Sequence, residues 1–370
     1  MSTAEASGPE RDLRRNVEIN IGKTCNSRCV FCLDGRPTRE QARFMSWETM
    51  KAELERWRGE GYLSVGFLGG EPTVYPHIVE AVAYAAELGY SRIALASNVM
   101  QLGRGDLVDR LIEAGLSRVT ISMHAHTAKL EDRLTQVVGA FDKKLRAIER
   151  LKQHLAAGRL RDGLSVNTVL NGHNYQHLPK MMRFFFTELR LADFRVNYVR
   201  PEGNAEQDAA VTPAYTAVMP LLAKAIVLNE LHFKKVFTFG GVPLCVLPTE
   251  LLRSSPLLRK YAGDLYWDLN TDCSIRAEGY DDGVSQVEGG RARFNWQDRK
   301  RFDLKHQFAP CRSCDARDMC EGVWRNYLEL YSGVEFASLR RRGDCFDRTQ
   351  PRIIRPPRAR VQDKGTLRGG

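Results

Sequence analysis

Six of the nine cysteines in this 370-residue chain fall into two groups: Cys25, Cys29 and Cys32 spaced C-x3-C-x2-C, and Cys311, Cys314 and Cys320 spaced C-x2-C-x5-C. Thiols gathered at such spacings read as ligands of a metal or a cluster rather than as disulfide partners. In the first group three thiolates share one short loop and leave a coordination position open. A structural zinc takes four protein ligands, and no fourth Cys or His lies near this loop. A four-iron cluster held by three cysteines keeps one iron free for another ligand. Cys245, Cys273 and Cys345 stand alone.

The loop must be carried by something rigid, and periodicity says what. From about residue 16 to 201, extended segments rich in Val, Ile and Phe alternate with amphipathic helical ones, the signature of a β/α series. The expected strands are 16–23, 64–70, 92–98, 117–125, 164–170 and 193–201, and the helices between them 47–59, 77–88, 106–114, 138–157 and 175–189. Six such units fall short of the usual eight-unit barrel. The first cysteine group follows the first strand directly, at the carboxyl end where barrels place their chemistry.

Strand alternation sorts outward from inward residues. Val17, Ile19 and Ile21 belong under the helices, which turns Glu18 and Asn20 inward. The same argument places Thr120, Ser122, His124, Asn167, Val169, Arg195 and Asn197 in the lumen. A closed barrel fills its lumen with branched apolar side chains; this one holds a carboxylate, a guanidinium, amides and an imidazole, and so suits a polar ligand. His124, at the same end as the cysteines, is a candidate acid or base, with a hydrogen-bonded structural role as the alternative.

Around the first cysteine group, Thr24-Cys25-Asn26-Ser27-Arg28-Cys29-Val30-Phe31-Cys32 resembles the hallmark of the radical S-adenosylmethionine (SAM) superfamily, including the aromatic Phe31 before the third cysteine. The resemblance implies a [4Fe–4S] cluster whose free iron chelates SAM, and whose electron cleaves SAM to a 5′-deoxyadenosyl radical. Gly69-Gly70-Glu71-Pro72 is similar to the family's GGEP motif, with Glu71 accepting a hydrogen bond from the SAM amino group. By the same likeness Ser97 and Asn98 face the ribose, Ser122, Asn167 and Val169 lie beside the bound SAM, and Arg133 clamps its carboxylate. The likeness spans about residues 16 to 200. It also implies a reductant such as flavodoxin or ferredoxin.

The second cysteine group, followed by Glu321-Gly322-Val323, resembles the C-terminal auxiliary-cluster region called SPASM, or its shortened twitch form. Where that pattern has a fourth cysteine this chain has Trp324, which leaves one auxiliary four-iron cluster on Cys311, Cys314 and Cys320 as the expected count. Either Cys245 or Cys345 completes it, with Cys245 preferred; a structural zinc on the same thiolates is the alternative. Cys273 is left as a buried thiol, with a partner of Cys245 in an incomplete second cluster and a hydrogen-atom donor to a substrate radical as the alternatives.

The expected architecture is therefore α/β: a partial (β/α)6 TIM barrel over residues 16–232, including a connecting helix at about 213–232, then a small α+β twitch/SPASM-like domain over 233–350. A polar segment, 1–15, precedes them and a basic disordered tail, 351–370, follows. Residues 253–310 read as irregular, with turns at Asp281-Asp282-Gly283 and Gly289-Gly290. The formal charge is +10, of which +7 falls in residues 340–370, so the body is nearly neutral. That distribution disfavours nucleic acid as a partner. The polar start and the lack of an apolar run of about 18 residues disfavour a secreted or membrane protein and imply a cytoplasmic one; a monomer is the separate expectation. The substrate implied by the resemblance is a peptide or a small metabolite, in a biosynthetic or maturation pathway. Because only about 15 residues precede the first strand, no peptide-recognition domain is expected there. A non-catalytic iron–sulfur or zinc protein, or an RNA-modifying radical enzyme, are the rival readings.

Overall fold

The computed structural model describes residues 15–262, 270–274 and 293–339. Its centre is one nine-stranded sheet ordered β7-β6-β5-β4-β3-β2-β1-β8-β9. The six expected strands are β1 Arg15–Asn20, β2 Ser64–Leu68, β3 Arg92–Ser97, β4 Arg118–Ser122, β5 Gly163–Leu170 and β6 Asp193–Tyr198, all parallel to their neighbours. The helices over them are α1 Trp47–Gly59, α2 Ile78–Glu87, α3 Leu107–Glu113, α4 Ala128–Thr135, α5 Ala140–Ala156 and α6 Leu178–Arg183. Val17, Ile19, Val119, Ile121, Val166, Phe194 and Val196 are buried beneath them, whereas the alternate residues Glu18, Asn20, Thr120, Ser122, Asn167, Arg195 and Asn197 are only half-buried. The inward face is thus an open polar surface, which is what the alternation predicts for a sheet that curls without closing.

The sheet runs past six strands at both ends. β7, Val236–Gly240, expected in the second unit, pairs parallel to β6. β8, Asn270–Ser274, lies parallel to β1 on the other side, and β9, Arg293–Asn295, runs antiparallel to β8. The eight parallel strands β1 to β8 make a curled partial TIM barrel, and the boundary drawn at residue 232 cuts through its sheet. The stretch 253–310 is correspondingly less irregular than its composition suggests: it carries helices at Ser255–Tyr261 and Trp296–Arg299 besides β8 and β9. Its two glycine-marked turns, the N-terminal segment, Cys345 and the basic tail lie outside the described residues.

α4 is the helix that periodicity missed. Four of its eight residues are charged, and only Leu130 and Leu134 mark an apolar stripe, too thin a pattern against the longer α5 beside it. α7, Tyr215–Leu228, continues as a π-turn to Phe233. The segment Ala209–Phe233 is long and apolar enough to cross a membrane by length and composition, yet half of its most apolar window is buried within the fold. It is accounted for by burying Tyr215, Val218, Leu222, Ala225 and Ile226 against the protein.

Residues 305–339 attach to the barrel through aromatic rings. Tyr198 at the end of β6 stacks on Tyr215 with centroids 4.3 Å apart, and Tyr215 meets Tyr327 at 4.5 Å. The Tyr215 N–H donates to Tyr327 Oη at 3.0 Å, and Glu335 Oε1 accepts from Thr216 N–H at 2.9 Å. A two-stranded ribbon, β10 Lys305–His306 with β11 Val323–Trp324, frames this unit.

Candidate active site

The loop carrying Cys25, Cys29 and Cys32 has almost no secondary structure of its own, so its shape is imposed by what it touches. Its start is fixed by the segment after β2. Gly70 N–H donates to the Gly22 carbonyl at 2.7 Å, and Glu71 N–H to the Thr24 carbonyl at 2.9 Å. A side chain at Gly70 would bring a Cβ within 2.1 Å of the Thr24 oxygen, so here the glycine is needed for contact between two pieces of backbone. The loop's middle sits on the end of α4: Arg28 N–H donates to the Thr135 carbonyl and Val30 N–H to the Leu134 carbonyl, each at 3.0 Å. These are carbonyls that a helix C-terminus leaves unpaired. Its far end is held by the loop after β6, where Asn204 Nδ2 donates to the Cys29 carbonyl at 2.8 Å and Asn204 N–H to the Cys32 carbonyl at 3.0 Å. Asn204 belongs to no motif, and nothing in the sequence singles it out.

The three thiols face one another closely enough for each of Cys25 and Cys29 to feel Cys32. Burial pushes Cys25 and Cys29 up to about 12 and Cys32 up to about 11. Three crowded, partly desolvated thiols without a cation resist ionisation, and the charge that would make them thiolates is that of a bound metal centre. A structural zinc takes four protein ligands, whereas three thiols on one loop suit a four-iron cluster that keeps one iron open.

Glu71 is engaged mainly by the protein itself. Its carboxylate is 1% exposed and turned into the protein: Oε1 accepts from Thr73 N–H at 2.9 Å, Thr73 Oγ1 at 2.6 Å and Ser97 Oγ at 2.6 Å, and Oε2 accepts from Asn98 N–H at 2.7 Å. Asn98 Nδ2 in turn donates to Asn26 Oδ1 at 2.6 Å. Glu71, Ser97 and Asn98 thus form one network tying the ends of β2 and β3 to the cysteine loop, with only Oε2 retaining acceptor capacity. Glu71→Ala would strand four donors, and a loss of stability of about 2 to 4 kcal/mol is expected. Denaturant unfolding of the purified variant measures it, and a midpoint equal to wild type would contradict the network.

His124 is 4% exposed. Its Nδ1 accepts from Val169 N–H at 3.1 Å, and its ring meets Phe31 edge-on at 4.6 Å. Burial, aided by Lys144, pushes its pKa well below the ordinary histidine range, so it is a neutral imidazole bracing Phe31 and the loop. Asn167 Oδ1 accepts from Asn197 Nδ2 at 2.7 Å, and Ser122 and Val169 are half-buried on the inner face beside it. Arg133 is exposed on α4 and makes no ion pair among the described residues. Cys273 lies on β8 level with Glu18, with its Sγ 4.0 Å from Glu18 Oε2.

The other thiols share a second pocket. Cys245, Cys311, Cys314 and Cys320 line it together with Leu244, Pro310 and Phe336, and Cys245 feels the other three electrostatically while burial pushes it up to about 12. Trp324, in place of the expected fourth cysteine, is buried with its ring under the Lys305 ammonium at 4.5 Å and the Arg200 guanidinium at 5.1 Å.

The family model described as the radical SAM superfamily matches residues 19–185, from β1 into α6. Residues 19–185 are a radical SAM domain. Curated relatives include an AdoMet-dependent heme synthase of Methanosarcina barkeri, 25% identical over 197 residues, covering 53% of this chain and 53% of that protein. A probable GTP 3′,8-cyclase of Saccharolobus solfataricus is 32% identical over 175 residues, covering 47% of this chain and 52% of its own. The chain spans about half the length of these relatives. Among solved structures, Streptococcus suis SuiB bound to its precursor peptide SuiA aligns with a TM-score of 0.60 at 18% identity, covering 87% of this chain and 74% of that one. anSMEcpe with bound AdoMet and the Cp18Cys peptide aligns at 0.54 and 15%, covering 88% and 92%. At such identities the likeness shows the fold, and it extends beyond the radical SAM domain into the C-terminal unit.

Proposed function

We propose that this protein is a radical SAM enzyme which abstracts a hydrogen atom from a peptide or small metabolite and uses one auxiliary iron–sulfur cluster. The observation that carries the reading is the cysteine loop itself: three thiols, clamped by the GGE segment, the end of α4 and Asn204, at the carboxyl end of a half-barrel whose inner face is polar. With a [4Fe–4S] cluster bound there, the chemistry supplied is an electron that cleaves SAM to a 5′-deoxyadenosyl radical. Cys25, Cys29 and Cys32 would hold that cluster. The Gly69–Glu71 backbone and Glu71 Oε2 would meet the SAM amino group, Asn98 the ribose, and Ser122, Asn167 and Val169 the adenosyl end. Arg133, exposed and free of an ion pair among the described residues, would take the carboxylate through its planar fork.

Cys245, Cys311, Cys314 and Cys320 would hold the auxiliary cluster. Cys245, which lines the same pocket, is the fourth ligand we propose; Cys345 lies outside the described residues. A peptide substrate is supported by the peptides in the SuiB and anSMEcpe structures, and a small metabolite by the names of the curated relatives. We place the activity in the cytoplasm, in a monomer reduced by a flavodoxin or ferredoxin.

The direct test is to incubate anaerobically reconstituted, dithionite-reduced protein with SAM and quantify 5′-deoxyadenosine by chromatography; none above the unreduced control would refute the reading. Arg133→Ala is expected to weaken SAM binding by about 1.5 to 3 kcal/mol, the worth of a hydrogen bond to a charged group, with no change in thermal unfolding. Equal SAM affinity in calorimetric titration would remove Arg133 from the site.

A further inference from the structure

Under the cysteine loop lies a charge pair that the proposed chemistry does not use. Lys144 on α5 and Glu131 on α4 are both fully buried, and Lys144 Nζ donates to Glu131 Oε1 at 2.6 Å. Nζ also donates to the Ser122 carbonyl at 2.7 Å, and Glu131 Oε2 accepts from His124 N–H at 2.8 Å. Taking two charges out of water is expensive, and apolar side chains of similar volume often fill such a space with no loss of stability. Burial alone therefore does not account for the pair.

Its placement does. The pair joins α4, α5 and the end of β4, and the Leu134 and Thr135 carbonyls of α4 are those that receive Val30 and Arg28 of the cysteine loop. Whatever fixes α4 fixes the seat of the thiols.

We infer that Lys144 and Glu131 are positioning residues for the SAM cluster: by joining α4, α5 and the end of β4 they fix the α4 carbonyls on which the C-x3-C-x2-C loop is seated. This rests on the reading that the loop holds a cluster.

The test measures iron content, the electron paramagnetic resonance signal that changes when SAM is added, and thermal unfolding on the same samples of the reconstituted full-length protein. The variant Lys144→Met/Glu131→Gln removes both charges together, so no lone buried ion remains. The inference expects it to unfold cooperatively, to lose the SAM-sensitive signal and to lose the iron held at Cys25, Cys29 and Cys32 while keeping the auxiliary iron. A folded double variant with full iron and an undiminished SAM-sensitive signal overturns the inference and leaves the radical chemistry intact. If the double variant does not fold, Glu131→Gln is read in the same way: folded protein with full iron and full signal overturns the inference. Wild type that takes up no iron at Cys25, Cys29 and Cys32 removes the cluster reading and the inference with it, an outcome distinguished by the iron content alone.

Discussion

Alanine at Cys25, Cys29 or Cys32 abolishes 5′-deoxyadenosine formation in the reduced, reconstituted protein, because each variant leaves two thiols where three are needed to hold a cluster with one open iron. The effect is all-or-none rather than graded. The loop has no spare donor: in the described residues the remaining cysteines sit on β8 or in the second pocket, and the imidazole of His124 is committed to Val169 and Phe31. The loop's backbone contacts with Gly70, α4 and Asn204 do not involve the thiol groups, so the variants keep wild-type thermal unfolding of the apoprotein. Chromatographic quantification of 5′-deoxyadenosine checks the claim, and undiminished product in any of the three variants would falsify the assignment.

The second large effect is on iron content. Reconstituted wild type carries about eight iron atoms per chain if both sites hold four-iron clusters, and Cys311→Ala/Cys314→Ala carries about half that. Cys245→Ala tests the choice of the fourth ligand. Its thiol shares a pocket with the other three, so its loss should lower auxiliary iron or alter that cluster's spectrum, whereas Cys345→Ala should change neither. The opposite pattern would assign Cys345. Zinc in place of iron, or wild-type iron near four, would remove the auxiliary cluster while leaving the SAM cleavage standing.

The strands and most helices were legible because their outward faces are apolar at period two or 3.6: Val17 and Ile19 on β1, Val119 and Ile121 on β4, and α1 with the residues expected of it. The thiol groups were legible from spacing alone. What sequence could not show is where the polar side chains of the motifs turn. Glu71 sits in a motif, yet its carboxylate is spent mainly on Thr73, Ser97 and Asn98, a consequence of β2 and β3 ending side by side. Lys144 and Asn204 carry no local signal because their partners lie in other elements; Asn204 meets Cys29 across 175 residues. β7 and β8 were missed as barrel strands because the connections leading to them break the βα rhythm, and pairing with β1 from so far along the chain leaves no trace in a local pattern.

The flanking of β1 by β2 and β8 has a consequence for the order in which the molecule assembles. Glu18 and Cys273 are neighbours across this seam although they are 255 residues apart in the chain. During synthesis the first six strands can associate in sequence, each with the one before it, while the far side of β1 stays an unsatisfied edge until residue 274 has emerged. Such an edge is a template for intermolecular pairing, and closing so long a loop is a slow, entropically costly step. The strand that launches the cysteine loop is therefore among the first to form and among the last to be fully protected, so nascent or truncated chains ending between β7 and β8 carry the aggregation hazard of this fold at its chemically most important strand.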